Sequence, residues 1–172
     1  HNFSCRVLRL PEEAYIYYSV FLELGFYDPQ ALCNLAVILK NQGLFAKSIL
    51  LYKQVIRLSP RFHDAYLNLG NLYKKIGQLN QAEISTKIAI EIIPDNPITH
   101  LNLGLIYQDQ DKLDRSELFL RKAILLQPDL TKARINLASI MFSKGNKSDS
   151  LLTCLDLIKK SVKEQNVYFL AI

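Results

Sequence analysis

The sequence predicts an all-α fold, a solenoid of tandem helix–turn–helix units. Two helical runs and one repeat period carry that prediction. In residues 63–96, Ala65, Leu69, Leu72, Tyr73 and Ile76 recur at helical spacing until Gly77 ends the pattern. Ala82, Ile84, Ile88, Ala89 and Ile92 then start a second run, which Pro94 closes. A step of 34 residues forward carries Asn68-Leu69-Gly70 onto Asn102-Leu103-Gly104, Tyr73 onto Tyr107, Ala89 onto Ala123 and Pro94 onto Pro128. The same step backward reaches Asn34-Leu35, Gly43 and Pro60. Helix, turn, helix and proline returning in register mean a stack of like units, each able to bury its apolar faces only against its neighbours.

Taken in order, the chain opens with an N-terminal segment, residues 1–28. Pro11 and the acids Glu12 and Glu13 suit a helix start. Laying the period backward makes residues 12–25 a second helix, with Phe21 where a small residue is expected, hence a degenerate half-repeat or cap. Four full repeats follow at 29–62, 63–96, 97–130 and 131–164. Their first helices are expected over 29–42, 63–76, 97–110 and 131–144, and their second over 46–58, 80–92, 114–126 and 148–162. Ala36, Gly70, Gly104 and Ala138 share one position, and Ser48, Ala82, Ser116 and Ser150 another. Helices approach closely only where the contact residues are small, so these mark the crossings. The fourth repeat drifts, with Met141 for Tyr, Leu157 for Ala and Val162 for Pro. Residues 165–172 begin a further, truncated repeat or cap. Its apolar Tyr168, Phe169, Leu170 and Ile172 point to a longer array, or to a partner or second copy covering that end.

Composition narrows the function classes. The chain has 172 residues, 49% hydrophobic and 22% charged, and no apolar run of membrane-spanning length. Cys5, Cys33 and Cys154 are scattered and make no disulfide framework, which suits a reducing, cytoplasmic compartment. The pI of 9.1 borders on values that suggest nucleic acid. The excess is local: residues 29–62 hold Lys40, Lys47, Lys53, Arg57 and Arg61 and no acid. A solvated basic face accounts for it. No catalytic constellation stands out. His63 and His100 have no second ligand four residues away, so no metal or other cofactor is expected. The acids Asp109, Asp111, Asp114 and Glu117 crowd one turn but lack the glycine-centred calcium loop. They read as a solvated corner.

The pattern resembles the tetratricopeptide repeat (TPR). That family's large aromatic, Leu-Gly, Tyr, Gly, Ala, aromatic, Ala, Pro series is matched by Tyr66, Leu69-Gly70, Tyr73, Gly77, Ala82, Thr86, Ala89 and Pro94, with Thr86 departing from the aromatic. The resemblance covers nearly the whole chain, so the four full repeats become TPR 1 to TPR 4. It implies a right-handed superhelix with the first helices lining a concave face, and a protein-interaction role without catalysis. The second-helix segment AEISTKIAI is similar to bacterial arrays fused to glycosyl- or sulfotransferase domains.

One feature of the first helices is unexplained by local folding. Asn34, Asn68, Asn102 and Asn136 occupy one position, two residues before the Gly or Ala of the crossing. Asn is worse than Ala mid-helix by roughly half a kcal/mol. Its amide offers a donor and an acceptor together, and so can grip the backbone of a bound peptide. Similar asparagine ladders occur in the repeat arrays of O-GlcNAc transferase and nuclear import adaptors. The same amides could equally bond a neighbouring helix.

The resemblance places further groove positions around the ladder. Cys33, Leu67, Leu101 and Ile135 stand one residue earlier, Val37, Asn71, Leu105 and Ser139 three later, and Lys40, Lys74, Gln108 and Phe142 six later. Chaperone-binding members grip a terminal carboxylate with Lys where Leu67 and its equivalents stand, and that Lys is missing in every repeat. The peptide-binding candidates are therefore Asn34, Asn68, Asn102 and Asn136 with Lys40, Leu67, Asn71, Lys74 and Leu101. Together they suit an extended, partly apolar, neutral-to-acidic segment. Two other readings stay open: the recruiting arm of a larger enzyme, and a nucleic-acid-binding helical repeat. The second is disfavoured because base-reading repeats vary the side chain that these repeats hold constant.

Overall fold

The structure is a computed structural model, and it describes Ile16, Val20 and residues 28–155. Apart from Ile16 and Val20, both helical, the expected helix over 12–25 lies outside the described residues, as do the end of the last helix and the apolar tail at Tyr168–Leu170. The chain divides into two compact units, His1–Ile93 and Pro94–Ile172. Among the described residues every regular element is helical.

The first unit contains α1 (Pro29–Asn41), α2 (Phe45–Leu58), α3 (His63–Lys75) and α4 (Leu79–Ile92). Asp28 caps α1, its carboxylate accepting from the Ala31 amide at 2.8 Å, and Pro29 occupies the first turn, where its missing N–H has no helical partner to lose. In the second unit α5 (Pro97–Asp109) starts the same way. Asn96 Oδ1 accepts from the Ile98 and Thr99 amides at 2.9 and 3.1 Å, ahead of Pro97. There follow α6 (Leu113–Leu126), α7 (Thr131–Ser143) and a helical segment over 147–155. First helices end one residue earlier, and second helices start one residue earlier, than the periodicity predicts. The cause is the turn. Gly43, Gly77, Asp111 and Gly145 all take positive φ, and a residue in that conformation cannot continue a right-handed helix.

Within each repeat the crossing positions are buried. In the first unit Ser48 lies under α1 and its hydroxyl donates to Ala36 O at 2.7 Å, while Tyr52 fills the space beside it. One repeat on, a Cβ on Gly70 would run into Thr86 Oγ1 and come within 3.3 Å of Ala82 O. Thr86 is wholly buried there. Its small side chain, where the family has an aromatic, goes with α3 and α4 meeting at bare backbone. In the second unit a Cβ on Gly104 would stand 3.0 Å from Leu120 Cγ. Leu120 joins Ala123, Ala133, Leu137, Ile140 and Met141 in a core shared by α5, α6 and α7. Met141, at the position of Tyr107, is buried in that core, so the drift of the fourth repeat is accommodated by side-chain packing.

Candidate peptide-binding face

The four asparagines sit mid-helix on α1, α3, α5 and α7, and each is half-buried. Their bonding differs from repeat to repeat. In the first unit Asn34 Oδ1 accepts from Gln30 Nε2 at 3.1 Å, and Asn68 Nδ2 lies 4.0 Å from Cys33 Sγ on α1. In the second unit Asn136 Nδ2 donates to Lys132 O at 2.6 Å, within its own helix. Asn102 makes no side-chain hydrogen bond among the described residues, and neither does Oδ1 of Asn68 or of Asn136. Asn68 reaches a neighbouring repeat, but through sulfur, a weak acceptor. No single internal bond accounts for all four.

The flanking positions divide by what covers them. Lys40, Leu67, Asn71 and Lys74 are half-buried in the first unit and keep part of their surface open. Leu101 is 2% exposed, packed in the core of the second unit with α7 residues Ala133 and Leu137. As one of the expected groove residues it thus has almost no open surface. Cys33 is buried at the same position, and burial pushes its thiol up to about 11, opposed in part by the Asn68 amide. A helix packed on two sides has a narrow free face, and one residue of offset, about 100° around the axis, moves a side chain from that face into the seam. Ile135, the equivalent on α7, is exposed.

Two arrangements in the second unit have no trace in local sequence spacing. Lys144 Nζ reaches Asp114 Oδ1 and Glu117 Oε2, both at 2.7 Å, from the turn after α7. The acidic corner is therefore bridged. The Lys144 hydrogen bonds hold both carboxyls below their ordinary range, aided at Glu117 by Arg121, and the Lys144 ammonium is raised in turn. His100 is buried, stacked at 5.9 Å on Phe119, and its Nε2 meets Pro94 O at 2.6 Å. A carbonyl only accepts, so Nε2 carries the proton. Among the described residues no three His, Cys, Asp or Glu side chains converge as metal ligands would, and no helix is long and apolar enough to cross a membrane.

Solved structures share this fold. MamA from Desulfovibrio magneticus is 22% identical, with 89% of this chain and 86% of that one covered at a TM-score of 0.82. TTC0263, a TPR protein of Thermus thermophilus, is also 22% identical, with 93% and 96% covered at 0.68. The first TPR of Spaghetti (RPAP3), solved with the HSP90 peptide SRMEEVD, is 16% identical, with 68% and 93% covered at 0.66. These likenesses establish an all-α helical-repeat solenoid. No curated protein matches the chain in sequence. Two family models, each described as tetratricopeptide repeat, match residues 29–62 and 99–130 in one case and 51–84 in the other. With the period, the crossing residues and the turns observed here, the chain belongs to the tetratricopeptide repeat family.

Proposed function

We propose that the chain is a protein-interaction scaffold that holds an extended peptide against the asparagine face of its first helices and does no chemistry on it. The observation that carries this reading is the recurrence of one half-exposed amide, at one position of four helices, without a common internal partner. A primary amide pairs with the C=O and N–H of a peptide residue whatever its side chain. It therefore gives affinity for an extended backbone rather than for one sequence. Leu67 adds apolar surface, and Lys40 and Lys74 favour a neutral-to-acidic segment. The structural neighbour solved with SRMEEVD supports peptide binding by this fold. Leu67, where other members carry a carboxylate-gripping Lys, favours an internal segment over a free C-terminus.

Selection of displayed twelve-residue peptides on the folded chain tests the reading. Enriched peptides should be extended and partly apolar. Asn102→Ala should weaken them about two- to tenfold, the worth of one net hydrogen bond. Absence of enrichment, or binding indifferent to Asn68→Ala and Asn102→Ala, would remove the asparagine face from the account.

A further inference from the structure

The second helices carry their own regularity, on the face opposite their buried one. Leu50 on α2, Ile84 on α4, Leu118 on α6 and Leu152 in the 147–155 helix share one repeat position and are 67%, 61%, 64% and 61% exposed. Ile16, one period before Leu50, is likewise apolar and 61% exposed. Single exposed apolar residues are ordinary on protein surfaces. This one recurs in every repeat, while the position three residues earlier drifts freely through Lys47, Gln81, Arg115 and Asp149. Packing does not demand it, because the side chains are in solvent. Helix propensity does not demand it either, since Lys, Glu and Gln form helix about as readily as Leu and more readily than Ile.

The surroundings of Leu50 are cationic. In the first unit Lys47 and Lys53 lie one turn to either side of Leu50, Arg57 lies a turn beyond, and residues 29–62 contain no acid. In the second unit the charge is mixed: Arg115, Lys122 and Asp114 each lie one turn from Leu118, and Arg121 is paired with Glu117. Lys47, Lys53 and Arg57 are exposed and have no ion-pair partner among the described residues. Apolar side chains among unneutralised cations complement a surface with apolar side chains among carboxylates.

We propose that the first unit's share of this row, around Leu50 and Ile84, is a docking surface for an acidic amphipathic helix of a partner protein. The partner's apolar face would rest on Leu50 and Ile84, and its carboxylates would meet Lys47, Lys53 and Arg57. A protein segment fits better than an anionic bilayer, because exposed Glu91 stands two turns from Ile84 on the same side of α4. A bilayer presses its charge on every residue of a face, whereas a helix places its carboxylates selectively.

The test titrates the whole chain into a fluorescein-labelled helical peptide with a leucine stripe flanked by glutamates. Controls are a scrambled peptide of the same composition, phosphatidylserine vesicles, and sedimentation of the chain alone. The amphipathic peptide should bind and the scrambled one should not. Leu50→Gln with Ile84→Gln should weaken binding at least tenfold with melting unchanged, since both side chains are exposed. Lys47→Gln with Lys53→Gln should weaken it and flatten its salt dependence. The combined Ala variant of Asn34, Asn68, Asn102 and Asn136 should bind this peptide normally, which separates the two faces. Equal binding of the scrambled peptide, indifference to the Leu50 and Ile84 changes, binding to vesicles alone, or a self-association that those changes abolish would each overturn the proposal.

Discussion

The turn at Asp111 is a natural experiment in backbone strain. Gly43, Gly77 and Gly145 adopt φ of 79°, 78° and 85°, and Asp111 takes 58° at the same position. All four turns are closed alike. The amide of Asp111 bonds Gln108 O at 3.0 Å and that of Lys112 bonds Tyr107 O at 2.8 Å, as Gly77 bonds Lys74 O at 3.1 Å and Gln78 bonds Tyr73 O at 2.9 Å. A Cβ on Gly77 would meet nothing within 4 Å, so any penalty there is purely torsional. That penalty is about 1–2 kcal/mol for an ordinary residue and lower for Asp, which tolerates the left-handed region. Glycine gives back about 0.5–1 kcal/mol through its freer unfolded chain. Asp111→Gly should therefore stabilise by up to about 1 kcal/mol, and Gly77→Ala should destabilise by up to about 1.5 kcal/mol. Urea unfolding followed by far-UV circular dichroism measures both. A less stable Asp111→Gly would show that the Asp side chain contributes more than its backbone strain costs. A stabilising Gly77→Ala would refute the torsional argument itself.

Two further predictions rest on hydrogen bonds. Ser48→Ala removes the buried bond to Ala36 O and should cost about 0.5–1.5 kcal/mol, whereas Ser116→Ala, at the equivalent position, removes a buried hydroxyl with no partner and should be neutral or stabilising by urea midpoint. Asp114 and Glu117 have folded pKa values held below their ordinary 3.8 and 4.5, so their contribution is present above those values and is lost as pH falls through the lower folded ones. Lys144→Met should make the urea midpoint less sensitive to acid across that window. An unchanged acid limb would mean that the Lys144 bridge is not formed in solution.

Most of the helical framework was legible because glycine and proline punctuate it at a fixed interval. Among the described residues helix bounds fell within one residue of expectation, and the small crossing residues Ser48, Ala82, Ser116 and Ser150 are all buried. The candidate face was less legible. The sequence period places Cys33 and Leu101 beside the asparagines but does not reveal how much of that helix the next repeat covers. Lys144 meets Asp114 and Glu117 across 30 and 27 residues, a separation that no helical spacing rule reaches. The solvent row from Leu50 to Leu152 was hidden for the opposite reason. Apolar residues at helical spacing read as core, and only their measured exposure separates them from it.

The affinity of a selected peptide for a combined Ala variant of Asn34, Asn68, Asn102 and Asn136 tests the central claim most directly. Four net hydrogen bonds lost should weaken binding by about 2–6 kcal/mol in all. Stability should change by no more than about 0.5 kcal/mol at each partly exposed site. Unchanged affinity in a folded variant, or a loss of stability large enough to explain weaker binding by itself, would contradict the account.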